Sequence, residues 1–145
     1  MHAEAARRRW VGFNARVFCS PIVEQGTPNR RQIGGDAEAR AVQHLCAAGL
    51  VLLHRNYLCR MGELDIVARH GTTLVVAEVR LRASARYGGA AASITRAKQR
   101  RIVLATRHLL ARYPSLQKLP IRFDAVLVPP GAGAIEWLRG AFDAY

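Results

Sequence analysis

Acidic residues are scarce in this chain. Ten Asp and Glu stand against 22 Lys and Arg, a formal charge of +12 over 145 residues. Such an imbalance favours polyanionic partners, nucleic acid first, over acidic or neutral ones; the plainer reading is a basic surface with no dedicated ligand. Cysteine is also sparse. Cys19, Cys46 and Cys59 have no C-x-x-C spacing and are odd in number, which argues against a disulfide framework and for reduced thiols in the cytoplasm. Cys46 fits a buried structural position. The five histidines are scattered, His44 and His54 fitting surfaces or half-buried edges, so no zinc site is expected. No apolar run approaches the ~18 residues of a membrane span. Arg7-Arg8-Arg9 precedes a stretch broken by Asn14 and Arg16, a poor secretory leader. No phosphate-binding G-x-x-x-x-G-K-[ST], no G-x-G-x-x-G and no internal repeat is present, which argues against the common nucleotide folds.

What is present is half hydrophobic, enough for one domain with a real core. Residues 1–33 carry six arginines against two glutamates and are broken by Pro21, Gly26 and Pro28. They read as a mobile basic tail, either adding non-specific phosphate affinity or serving no function. Residues 34–145 read as the folded domain. Gly34-Gly35-Asp36 opens a helix with Asp36 as N-cap and a stripe of Ala37, Ala41, Leu45 and Ala48 widened by Val42; Gly49 closes it. Glu38 falls in the first turn, where the helix dipole favours a carboxylate. A strand over 50–58 follows. A second helix, capped by Ser93 or Thr95, runs to about Tyr113 before Pro114, with Ile102, Ala105 and Leu109 as its apolar stripe and Lys98, Arg100, Arg101, Arg107 and Arg112 opposite. Strands over 121–128 and 134–138 complete an α/β chain with a mixed sheet. The last, as an exposed edge, can support a homodimer.

The chain is organised around residues 62–82, which alternate apolar and polar positions over two half-buried strands joined at Gly71-Thr72, a two-residue type II′ turn. That turn sets His70 against Thr73, Asp65 against Glu78 and Glu63 against Arg80. Directly opposed like charges destabilise a sheet, so Asp65 and Glu78 need a reason to be there. A shared hard cation such as Mg²⁺ is one, a shared proton another. A register off by one, with both acids in solvent, is the third.

Several separated runs carry a family likeness: Gly35-Asp36-Ala37-Glu38-Ala39, Arg55-Asn56-Tyr57, Gly62-Glu63-Leu64-Asp65-Ile66-Val67-Ala68, Val76-Ala77-Glu78-Val79-Arg80-Leu81-Arg82, Tyr87-Gly88, Lys98 and Arg122-Phe123-Asp124. In these runs, over about residues 34–145, the chain resembles the small bacterial family UPF0102, also called the YraN family, and more broadly restriction-endonuclease-like proteins of the PD-(D/E)XK class, including archaeal Holliday-junction resolvases. The resemblance implies a nuclease-like mixed sheet flanked by helices. It implies Glu38, Asp65 and Glu78 as carboxylates for Mg²⁺ or Mn²⁺, and in-line hydrolysis of DNA, branched DNA included. Where the pattern has Glu-x-Lys, this chain has Glu78-Val79-Arg80. Arg keeps its charge where a buried Lys can shed a proton. Three expectations follow: Arg80 stabilises phosphate charge, Lys98 supplies the amine, or Arg80 merely pairs with Glu63 and the protein binds nucleic acid without cutting it. Arg82, Arg86, Arg96 and Arg100 are the expected phosphate contacts.

Overall fold

The computed structural model describes residues 30–82 and 94–144. Helix α1 (Arg30–Ala47) leads into strands β1 (Val51–Cys59), β2 (Gly62–His70) and β3 (Thr73–Leu81). Helix α2 (Arg96–Arg112), a short 3₁₀ turn (Pro114–Leu116), β4 (Ile121–Val128) and β5 (Glu136–Phe142) follow. The five strands lie in chain order. Neighbours are antiparallel except β3 and β4, which are parallel. Parallel neighbours need a long crossover, and α2 provides it. The result is the expected α/β mixed sheet flanked by helices.

The two helices cover opposite faces. Under α1, Ala41, Val42 and Leu45 meet Ile66, Val75, Ala77 and Val126. Under α2, Ile102, Ala105 and Leu109 meet Val67, Val76 and Phe123. The central strands are therefore buried on both sides: Val67, Val75 and Val76 are each 2 % exposed or less. This corrects the half-buried reading of the alternating pattern, because Val serves the second face as well as the first. Among the described residues no helix is long and apolar enough to cross a membrane.

The hairpin register is the predicted one where the strands pair, from His70↔Thr73 to Ile66↔Ala77. Gly71 takes φ 59° at the first loop position, the left-handed conformation that glycine adopts at little cost and that a type II′ turn demands. Two helix ends differ in fate. At the C-terminus of α1 the N–H of Leu50 donates to Leu45 O at 3.1 Å and that of Gly49 to Cys46 O at 3.0 Å. This is a Schellman closure around the expected Gly49, and it leaves Ala48 exposed beyond the helix rather than on its stripe. At the N-terminus, α1 begins at Arg30, so it takes in residues 30–33 and both glycines. Asp36 is then an exposed interior residue with no orphan amide to cap, and Glu38 lies beyond the first turn and its dipole benefit.

Strand β5 also departs from expectation, running to Phe142 through Gly140. Fully buried Asp124 holds it there. Its carboxylate accepts from Trp137 Nε1 at 2.9 Å, the Gly140 N–H at 3.0 Å, and Arg122 Nε and Nη2 at 2.8 and 2.9 Å. Cys46 and Cys59 are both half-buried. Cys19, Ser93 and residues 1–29 of the basic N-terminal segment lie outside the described residues.

Candidate functional site

β2 and β3 stop pairing just before Asp65 and Glu78. The N–H of Val79, beyond the last paired rung, donates to Asp65 Oδ2 at 2.9 Å. A side chain thus stands where a backbone carbonyl would continue the ladder. The expected apposition of Asp65 and Glu78 is achieved through this side-chain contact rather than by another rung.

The electrostatics follow from burial. Glu78 is 5 % exposed. Desolvation first, and the neighbouring Glu78 carboxylate second, push Asp65 up from 3.8 to about 6; the Val79 N–H and the Lys98 ammonium pull the other way. Charge is disfavoured at Asp65 because little water and one anion surround it.

Lys98 enters from the opposite element. Thr95 caps α2, its hydroxyl accepting the Lys98 N–H at 3.2 Å. This fixes the first turn of the helix and presents Lys98 Nζ at 3.1 Å from Glu78 Oε1. Arg80, two residues along β3, brings Nη1 to 3.9 Å of the same oxygen. Lys98 is thus the nearer of the two cations to the Glu78 carboxylate. Lys98 is therefore not on the outer side of α2, as the helical stripe suggested, but on its flank.

Glu38 is placed differently. Its Oε2 lies 3.8 Å from Arg55 Nη2, a pairing between α1 and β1. Among the described residues no three His, Cys, Asp or Glu side chains gather closely enough to hold a metal ion between them. The structure therefore brings together Asp65, Glu78, Arg80 and Lys98 and leaves Glu38 outside that contact set. The donor chemistry of Asp65 and Glu78 still suits Mg²⁺, which is held by one or two carboxylates with water completing its shell. Two close carboxylates, one of them resisting ionisation, are what a divalent cation relieves.

The expected phosphate contacts are dispersed. Arg82 forms a 3.3 Å ion pair with Glu136 on β5. Arg96 and Arg100 are exposed on α2. Arg86 lies outside the described residues. Thr95 is one of the two caps expected for this helix. The Val79 N–H was not singled out from sequence, being a backbone group with no sequence signature.

Comparison with known proteins gives a match of residues 37–128 to the model of an uncharacterised protein family, UPF0102. A UPF0102 protein of Methylobacillus flagellatus is 48 % identical over 115 residues, covering 79 % of this chain and 99 % of that protein. One of Nitrosomonas europaea is 50 % identical over 111 residues, 76 % of this chain and 92 % of its own length. One of Paracidovorax citrulli is 55 % identical over 118 residues, with 79 and 84 % covered. These names state a family and no activity.

Proposed function

The chain belongs to the uncharacterised family UPF0102, and from that premise and the pairing of half-buried Asp65 with buried Glu78 we propose that it is a metal-dependent phosphodiesterase acting on nucleic acid, DNA first. The observation that carries this reading is the apposition of Asp65 and Glu78 with the Lys98 ammonium 3.1 Å from Glu78. Asp65 and Glu78 would hold Mg²⁺ or Mn²⁺. Such an ion, when bound, lowers the pKa of a water and offsets phosphate charge.

The protein's own groups divide the remaining work. The Val79 N–H orients the Asp65 carboxylate. Lys98, a compact ammonium rather than the planar fork of Arg80, suits holding a water by hydrogen bond and steering it toward phosphorus. Arg80 carries a fixed charge that suits the extra negative charge of a pentacoordinate phosphate. In the hydrolysis, a bond forms from water oxygen to phosphorus as the bond to the departing ester oxygen breaks. The proton released by the attacking water passes to solvent, and the departing ester oxygen takes one up from solvent. The +12 charge of the chain supports a polyanionic substrate.

A second reading has its own support. Glu38 stands apart from the pair, and Arg replaces the Lys of the Glu-x-Lys pattern. Both favour a protein that keeps the fold and binds nucleic acid without cleaving it. Incubating the purified protein with branched, single-stranded and duplex DNA in Mn²⁺, beside Glu78→Ala, separates the two. Cleavage that disappears in Glu78→Ala supports the enzyme. Intact substrates in every lane, with DNA bound equally by both proteins, would refute it and leave the binding module.

A further inference from the structure

We infer that one flank of α2, the line of Lys98, Arg101, His108 and Arg112, is the track along which a nucleic-acid backbone reaches the carboxylate pair. This rests on the substrate class proposed above but names a surface that the family likeness did not.

Geometry comes first. Positions 98, 101, 105, 108 and 112 recur at alternating steps of three and four, so they form one nearly straight line on a helix. Lys98, at its head, touches Glu78. Each exposed member beyond it lies against the first hairpin. Gly62 opens β2 with no side chain, and a Cβ placed there would stand 3.4 Å from Arg101 Cβ. The Tyr57 hydroxyl on β1 and His108 Nδ1 are 2.8 Å apart. The Arg112 guanidinium lies 5.9 Å from the ring centroid of Tyr113, which closes the same helix and whose ring faces His54 on β1 at 5.0 Å. The fifth position, Ala105, is buried, so the exposed groups fall into two stations, Arg101 and then His108 with Arg112, about 10 Å apart along the helix. From Lys98 to Arg112 is roughly 21 Å of helix. One strand of duplex DNA rises about 3.4 Å per nucleotide, so the line matches about six nucleotides.

Charge supplies the occupant. Helix α2 carries Arg96, Lys98, Arg100, Arg101, Arg107 and Arg112 and no acidic residue. Solvated helix faces usually alternate signs, whereas this flank presents Lys98, Arg101 and Arg112 with no acid between them, so their like charges repel one another. Among the described residues no carboxylate forms an ion pair with Arg101 or Arg112. A phosphate chain would offset this repulsion along its whole length, and its end would lie at the carboxylates.

The test is the salt dependence of binding to a labelled 20-base-pair duplex in EDTA, read by fluorescence anisotropy. Each phosphate neutralised on duplex DNA contributes about −0.9 to the slope of log K against log salt. Arg101→Ala with Arg112→Ala is expected to flatten the slope by about 1.8 and to weaken binding by roughly tenfold at low salt. Arg107→Ala with Arg139→Ala removes the same charge from the side toward β4 and β5 and is expected to leave the slope unchanged. Arg101→Lys with Arg112→Lys should restore most of it, which separates charge from folding. Equal flattening by both alanine pairs, or by neither, would overturn the track. So would a greater dependence on Arg101 and Arg112 for poly-glutamate than for the duplex, which would assign the flank to an acidic protein. An intact track with no cleavage by wild type would sink the enzyme reading alone, and cleavage with no track would sink this inference alone.

Discussion

Asp65→Asn should make the protein more stable at neutral pH while removing any activity. In the folded chain Asp65 titrates near 6 instead of 3.8, because burial and the Glu78 carboxylate disfavour its charge. Between those values the folded state binds more protons than the unfolded one, so stability falls as pH rises through this window. Below about 3.8 both states are protonated and the penalty is absent; above about 6 it is fully present. A displacement of about two pH units corresponds to roughly 3 kcal/mol. Asparagine keeps an oxygen to accept the Val79 N–H, so the 2.9 Å bond of the wild type has a neutral replacement. The difference in unfolding free energy between variant and wild type, from urea melts, should be near zero at pH 3.5, grow through pH 5, and level off above pH 6.5 at about 2–3 kcal/mol in favour of the variant. Added Mg²⁺ should narrow the gap by stabilising wild type only. A variant that is equally or less stable than wild type at pH 7.5 would show that Asp65 is not held in a charge-averse site.

Three further outcomes test the site and its frame. Lys98→Ala should abolish cleavage more completely than Arg80→Ala and cost about 1–2 kcal/mol in a thermal melt, since it removes the closer cation from buried Glu78 while Lys98 is itself one-third exposed. Asp124→Ala should cost about 3 kcal/mol or more in urea unfolding, because Arg122, the Trp137 indole and the Gly140 amide lose one buried acceptor together. Gly62→Ala should cost about 1–2 kcal/mol in melting experiments, because φ there is 148° and the new Cβ meets Arg101; a neutral result would mean that the β1–β2 turn relaxes freely.

The sequence made the centre of this fold more legible than its margins. The Gly71-Thr72 turn chemistry alone set the hairpin register, because a two-residue loop leaves few ways to pair the strands. The stripe of Ile102, Ala105 and Leu109 on α2 was readable because its period is sustained and Pro114 ends it. The start of α1 was not, because Gly34-Gly35-Asp36 has the chemistry of a helix boundary while the chain keeps the helix running through it. The end of β5 was missed because Gly140 reads as a breaker, whereas Asp124, sixteen residues earlier, holds its amide. Asp65 and Glu78 were found from the cost of opposing two acids. Lys98 was readable only as one of three alternatives, since nothing local reports which flank of α2 meets β3. The contact between Glu38 and Arg55 depends on how α1 sits over β1, and no local pattern encodes that.

The parallel pairing of β3 with β4 also bears on the order in which the molecule is made. β1, β2 and β3 are joined by two-residue turns, so they close quickly and locally. β4 reaches β3 only after residues 82–120 have looped back, a closure costing roughly 2–3 kcal/mol more in chain entropy than a hairpin turn. Asp65 and Glu78 belong to the early, local part, and Lys98 to the late crossover. The two acids therefore meet before their counter-cation arrives, and folding should slow as pH rises from about 3.8 to about 6 and be hastened by anything that neutralises the acids first. The refolding rate, followed with and without a divalent ion, thus records the history of the site as well as its chemistry.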